Sequence, residues 1–293
     1  MGCGIEIPKW TKIKPFRRDE YVKTLHLINR HDLNTVCIEA NCPNRYECFS
    51  KSTATFMILG SVCTRNCRYC NIKSGKPEEV DAQEPGRIAE AVKKLKLDYA
   101  VITCVTRDDL EDEGAGQFVK TVREIKKKNQ GCRVELLISD LNGNWAALKE
   151  IVDSGPDVVN HNIEVVKELF PELRPKGSYE RSIELLKKVK EFNPRMKTKS
   201  GLIVGLGETR QQIIRTLKDL RKSGCDILTV GQYLQPSQNH AEVKKFYEPK
   251  EFDGLKTKAE SLGFEHVEAG PWVRSSYGAG GIFSKTKAVT KNK

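Results

Sequence analysis

From Thr53 onward the chain repeats one unit, a short apolar run followed by an amphipathic stretch long enough to cross back over a sheet. Strand-like runs cover 53–59, 99–105, 133–139, 157–162, 198–204 and 226–231, with a weaker one at 265–269. Helical patterns occupy 87–97, 117–128, 145–154, 179–192 and 210–223. Within the last two, Ile183, Leu186 and Val189 form one stripe and Ile213, Leu217 and Leu220 another; Thr209 with Gln212 reads as a capping box and Gly224 as a helix stop. Parallel strands need crossovers of this length, so the alternation specifies an α/β fold with a parallel sheet, either open and doubly wound or a full or partial barrel. Polar and glycine-rich segments gather after the strands, at Cys63 onward, Thr106 to Gly116, His161 to Glu164, Gly205 to Glu208 and Gln232 to His240. Barrels place their sites at that end, which favours a barrel. The Gly205-Leu206-Gly207 step lacks the third glycine of a dinucleotide fingerprint.

The chain has ten cysteines, six of them between Cys37 and Cys70. They fall into two triplets, Cys37-x4-Cys42-x5-Cys48 and Cys63-x3-Cys67-x2-Cys70. The first lies in a stretch rich in turn formers, 33–48, which reads as a metal loop rather than a helix or strand of the core. A reducing compartment would not keep such cysteines as disulfides, so metal binding is the leading reading. Zinc stays open: Cys67 and Cys70 have zinc-knuckle spacing, and six thiolates could share two ions with His31 or another residue completing a site. The alternative is an iron-sulfur cubane held through three irons, with the fourth iron open for chemistry. Cys104, Cys132 and Cys225 stand singly in or beside apolar runs and read as inert buried thiols; Cys3 is near the N-terminus.

No apolar run approaches the roughly 18 residues of a membrane span, and residues 1–14 show no sustained apolar core of a signal peptide. The expected compartment is the cytoplasm, with no membrane partner. Lys and Arg outnumber Asp and Glu 50 to 39, a formal charge of +11. That describes either a solvated basic surface or attraction to an acidic partner. Low aromatic content, 7%, without aromatic interleaving of the basic segments argues against a single-strand nucleic-acid platform.

The Cys63, Cys67, Cys70 spacing after a first strand resembles the radical S-adenosylmethionine superfamily, and Gly201 to Glu208 resembles the strand and loop that line the adenine there. Joined to the upstream triplet and to Gly270-Pro271-Trp272-Val273-Arg274-Ser275-Ser276-Tyr277, the pattern resembles the lipoyl synthase family. Further similar segments are Leu33 to Cys37, Cys42-Pro43-Asn44, Thr106 to Leu110, His161 to Glu164, Leu173-Arg174-Pro175 and Gln232 to Ser237; the match runs from about Trp10 to Tyr277.

The resemblance implies a partial (β/α)6 TIM-type barrel at 53–263, an N-terminal extension at 1–52 with an auxiliary cluster loop, and a C-terminal extension at 264–293. That last segment contains a basic tail with Lys285, Lys287, Lys291 and Lys293. It further implies two [4Fe-4S] clusters. Cys63, Cys67 and Cys70 would bind the one that cleaves S-adenosylmethionine to 5′-deoxyadenosyl radicals, with Tyr69 near the adenine and Asn162, Glu164 and Arg174 near the polar groups. Cys37, Cys42, Cys48 and the hydroxyl of Ser276 would bind the other, which is consumed as sulfur donor. The implied reaction puts sulfur on carbons six and eight of an octanoyl chain on a carrier lysine. The implied partners are an octanoylated lipoyl-carrier domain or glycine-cleavage H-type protein and a reducing electron donor. The chain departs from the family at Glu113 and Gln117, where paired glycines and then a histidine are usual, which puts cofactor or substrate contacts there in question. Arg107, Asp108 and Asp109 read equally as a structural turn. Rival readings are a radical sulfur-inserting enzyme with a free small-molecule substrate and a zinc-stabilised basic binding protein.

Overall fold

The computed structural model describes Pro8, Trp10 and residues 16–281; Cys3 and the four tail lysines lie outside the described residues. Its strands are β1 (Asn34–Thr35), β2 (Thr55–Ile58), β3 (Val62–Cys63), β4 (Lys73–Ser74), β5 (Tyr99–Cys104), β6 (Arg133–Leu137), β7 (Val158–Asn160), β8 (Lys197–Val204), β9 (Ile227–Gln232) and β10 (His266–Gly270). One sheet runs β1-β2-β5-β6-β7-β8-β9-β10, and β3 with β4 makes a separate ribbon. Every neighbour from β2 to β10 is parallel. Only β1 is antiparallel, with Asn34 opposite Met57 and Thr35 opposite Phe56. Six strands, β2 and β5 to β9, form the partial barrel, and β1 and β10 extend its two edges.

Helices Glu84–Lys94, Ala115–Lys128, Trp145–Asp153, Tyr179–Phe192 and Arg210–Lys222 cover the sheet, each burying one apolar stripe. Thr209 and Gln212 form the expected capping box, and Gly224 follows the same helix at φ 88°. A further helix, Pro249–Ser261, has no counterpart in the sequence reading, although Pro249 at its start, the Glu248–Glu251 capping box and the spacing of Phe252, Leu255 and Ala259 all signal it.

The 33–48 stretch is not a plain loop. Thr35 joins the main sheet, and its hydroxyl then accepts from Ile38 N to cap the short helix Val36–Glu39, which starts at Cys37's turn. A second helix, Arg45–Ser50, carries Cys48. Thr35 caps the first of these helices and Asn44 stands at the start of the second, its side chain turned to Trp272 O, so part of the turn-former density marks helix starts rather than loop. Helix Arg18–Arg30 backs this unit: Tyr21 stacks on Tyr46 and Phe49 with centroids 5.4 and 5.7 Å apart, and Thr24 Oγ1 donates to Phe49 O at 2.8 Å.

The barrel interior holds a polar knot whose Glu135, Asn160 and Lys199 are fully buried and whose Tyr99 is half-buried. Glu135 accepts from Lys199 Nζ at 2.9 and 3.1 Å, from Asn160 Nδ2 at 2.9 Å and from Tyr99 Oη at 2.6 Å. Four strands, β5 to β8, each contribute one member, so the knot fixes their mutual register. Among the described residues no helix is long and apolar enough to cross a membrane.

Candidate active site

The downstream cysteine loop leaves the carboxyl end of β2 through Leu59 and Gly60, at φ 70° and 88°. Leu59 N donates to Glu84 Oε2 at 3.0 Å, and Gln117 Nε2 donates to the same oxygen at 3.0 Å. Gln117, one of the two departures, is thus a strut beneath the turn; Glu113, the other, is buried with Oε2 lacking a hydrogen-bond partner. β3 pairs with β4, and Gly75 N donates to Cys63 O at 2.9 Å, so the two ends of the loop are tied together.

Three neighbouring loops then clamp it from outside. Thr64 N donates to Thr106 O at 3.1 Å, Arg68 N to Leu173 O at 2.9 Å, and Ala241 N to Arg68 O at 2.8 Å. His240 Nε2 lies 3.1 Å from Cys70 O; a carbonyl only accepts, so this nitrogen carries the proton. Between the first two cysteines, Arg65 is 6% exposed and reaches Asp108 at 2.6 Å and Asp140 at 2.8 Å. Burial opposes ionisation of Asp140, but the hydrogen bond and charge of Arg65 outweigh it and hold the carboxyl at about 2. Asp108 is therefore a loop anchor, and Arg107 is occupied by Asp109 and Leu59 O.

The upstream triplet sits at the opposite end of the barrel. Because β1 runs against β2, the chain leaves Thr35 toward the start of β2. The C-terminal segment leaves the carboxyl end of β10 and closes on it: Asn44 Nδ2 donates to Trp272 O at 2.7 Å, and Tyr277 Oη lies 3.1 Å from both oxygens of Glu47. Gly231 of β9 is needed for this approach, since a Cβ there would lie 2.1 Å from Val273 O. Asn71 Nδ2 donates to Glu39 O at 2.9 Å and joins the two cysteine segments directly.

A cavity of about 370 Å³ runs between them through the barrel. Its wall brings together Cys37, Cys42, Cys48 and Ser276 with Cys70, Tyr69, Asn162 and Glu164; Cys63, Cys67 and Arg174 stand outside that wall. Arg174 lies behind it, donating to Asn162 O at 3.1 Å and covering the Phe170 ring. Asn162 Nδ2 donates to Glu164 at 3.0 Å, and its Oδ1 is buried without a partner. A Cβ on Gly201 would fall 2.7 Å from that oxygen, so the glycine keeps the space in front of it open. Arg274, which the motif contains but the sequence reading gave no role, also lines the cavity, and burial lowers its affinity for a proton. Its only signal was its place beside Ser276.

The donor set fits soft metal clusters. Burial pushes the thiols of Cys37 up to about 11 and of Cys48 and Cys70 up to about 12, so without metal they stay protonated, and loading must expel those protons. Among the described residues no three His, Cys, Asp or Glu side chains converge as one zinc ion, with Zn–S bonds of about 2.3 Å, would need. A cubane instead takes each thiolate on a separate iron. The orphaned Asn162 oxygen and the Glu164 carboxylate suit a ligand that carries an ammonium group. Cys104, Cys132 and Cys225 have free thiols pushed up by burial to about 12, 11 and 12, in keeping with inert packing roles.

Residues 57–220 match the model of the radical SAM superfamily. The chain is 51% identical to the lipoyl synthase of Halalkalibacterium halodurans over 93% of its own length and 90% of that protein. It is 50% identical to the lipoyl synthase of Caldicellulosiruptor saccharolyticus over 92% and 95%. In fold it is similar to methylornithine synthase, with TM-score 0.56, 15% identity and coverage of 89% and 84% of the two chains. A maturase of the [FeFe]-hydrogenase, HydG, gives 0.56, 14%, 86% and 70%. An identity near one half, sustained over nine-tenths of both chains, establishes that the chain belongs to the lipoyl synthase family of the radical SAM superfamily.

Proposed function

We propose that this enzyme inserts two sulfur atoms, at carbons six and eight, into an octanoyl chain on a lysine of a lipoyl-carrier domain or glycine-cleavage H-type protein. The observation that carries the reading is the single cavity walled by both cysteine segments and by Ser276. Cys63, Cys67 and Cys70 would hold one [4Fe-4S] cluster, and Cys37, Cys42, Cys48 and Ser276 the other. When bound, the first supplies the one-electron chemistry that activates S-adenosylmethionine for hydrogen abstraction, and the second supplies the sulfur. An oxygen ligand on soft iron is more easily displaced than a thiolate, which suits Ser276 to a centre that must be dismantled.

The protein's own part is placement. Asn162 and Glu164 would receive the ammonium end of S-adenosylmethionine and Tyr69 would lie near its adenine, while Arg174 holds the Asn162 loop from behind. The apolar remainder of the wall, including Val36, Leu137, Leu202 and Ile203, shields the acyl chain from water. Labour divides along the chain, with the described parts of the N-terminal and C-terminal extensions, 16–52 and 264–281, enclosing the sulfur-donating end and 53–263 forming the radical-generating barrel.

Anaerobic reconstitution is expected to give about eight irons per chain and little zinc. Reductant, S-adenosylmethionine and an octanoylated carrier are then expected to yield 5′-deoxyadenosine and a carrier that has gained two sulfurs. A chain holding zinc without acid-labile sulfide would overturn the reading.

A further inference from the structure

A second cavity, about 900 Å³, lies on the other side of the Cys48–Ser276 seam. Its wall includes Ala54, Tyr99 and Arg133, at or just before the starts of β2, β5 and β6, so it opens at the barrel end opposite the Cys63–Cys70 loop. Cys48, Ser276 and Tyr277 line both cavities, whereas Cys42, Asn162 and Glu164 line only the first. Three basic groups, Lys51, Lys96 and Arg133, border the second cavity against two acidic ones, Glu47 and Asp98.

We propose that this second cavity is the port through which the Ser276-side cluster is replaced, as an intact anionic four-iron complex of small thiolates. The proposal rests on the sulfur-donor reading above. If that cluster is consumed while the first cavity holds S-adenosylmethionine and the acyl chain, replacement through the first cavity is obstructed. The second cavity reaches Cys48 and Ser276 without crossing the radical-generating loop, and its excess of basic groups favours an anionic visitor. The step is ligand exchange. Four iron–thiolate bonds break; three iron–sulfur bonds form to Cys37, Cys42 and Cys48 and one iron–oxygen bond to Ser276. The three thiol protons and the hydroxyl proton pass to the four departing thiolates, and the irons keep their oxidation states.

Gly281 and Lys96 are exposed on the second cavity's rim and absent from the first cavity's wall, and a Cβ on Gly281 would meet nothing within 4 Å. The test takes holoenzyme through one turnover, adds the four-iron complex of 2-mercaptoethanol, and follows the iron and acid-labile sulfide regained. Gly281→Trp, which plugs the opening, and Lys96→Glu, which reverses a rim charge, should both match the parent chain in first-turnover sulfur product. Both should regain the cluster about fivefold more slowly or worse, and added salt should narrow the difference between Lys96→Glu and the parent chain. In the metal-free chain, Gly281→Trp should slow iodoacetate labelling of Cys48 while leaving Cys42 unchanged. Equal regain and equal labelling would overturn the port. Retention of all iron through the first turnover would instead overturn the sulfur-donor reading, and the port with it.

Discussion

The phenol of Tyr277 and the carboxylate of Glu47 meet at 3.1 Å, joining two residues each adjacent to a proposed ligand of the same cluster, Ser276 and Cys48. The contact spans 230 residues of sequence and clasps the C-terminal segment onto the N-terminal one. Tyr277→Phe removes only the clasp. The expected loss of folding stability is about 1 kcal/mol. The larger effect should be at the cluster, where the Mössbauer signal of the Ser276-side irons should change or weaken while S-adenosylmethionine cleavage by the other cluster persists. An unaltered signal would mean that the clasp does not position Ser276.

Gly201→Ala places a methyl group 2.7 Å from the orphaned oxygen of Asn162 and 2.9 Å from Thr229 Oγ1. S-Adenosylmethionine affinity, measured by equilibrium dialysis on the reconstituted enzyme, should fall about tenfold or more, equivalent to about 1.4 kcal/mol. Iron content should not change, because Gly201 touches neither cysteine segment. Undiminished affinity would place the ammonium group elsewhere.

Lys199 and Glu135 form a buried pair at the barrel centre. Lys199→Met leaves the Glu135 charge without its cation and should cost about 3–5 kcal/mol in chemical denaturation. A loss below about 1 kcal/mol would mean that the knot does not hold the register of β6 and β8.

His161 is 1% exposed, with Nδ1 2.9 Å from Ile138 O and Nε2 3.0 Å from Ser182 Oγ. Burial, reinforced by the charge of Arg174, lowers its pKa from 6.5 to about 4. The folded value lies below the unfolded one, so the unfolded chain binds the proton first. The stability tied to neutral His161 is fully present above pH 6.5 and is lost as pH falls from 6.5 toward 4, up to about 3 kcal/mol. Unfolding titrations should show this slope in the parent chain and lose it in His161→Gln. An equal slope in both would assign the proton to another group.

Most of the barrel was readable because its helices bury one face and its strands two, which leaves distinct apolar periods in the sequence. Tyr179–Phe192 falls where its stripe placed it. Pro249–Ser261 went unread, although its cap and apolar spacing were present, because its polar surface hid a stripe of only Phe252, Leu255 and Ala259. Around Cys37 and Cys48, local turn chemistry pointed to loop, and only the pairing of Asn34 and Thr35 with Met57 and Phe56 makes β1 a strand. That contact is non-local and leaves no periodic trace. The same holds for the site: the two triplets are visible as spacing, but their placement at opposite ends of one cavity follows from the antiparallel β1 and the return of the chain beyond β10. The clasp of Tyr277 on Glu47 and the placement of Arg274 are likewise consequences of the fold.

The most direct test of the division between the two cysteine segments is a paired measurement of 5′-deoxyadenosine and carrier-bound sulfur in the same anaerobic reaction. Cys63→Ala, Cys67→Ala or Cys70→Ala should abolish both products. Cys37→Ala, Cys42→Ala or Cys48→Ala should leave measurable 5′-deoxyadenosine but no sulfur on the carrier. Lipoyl groups made by any of the upstream variants would contradict the assignment of the sulfur donor to that end of the barrel.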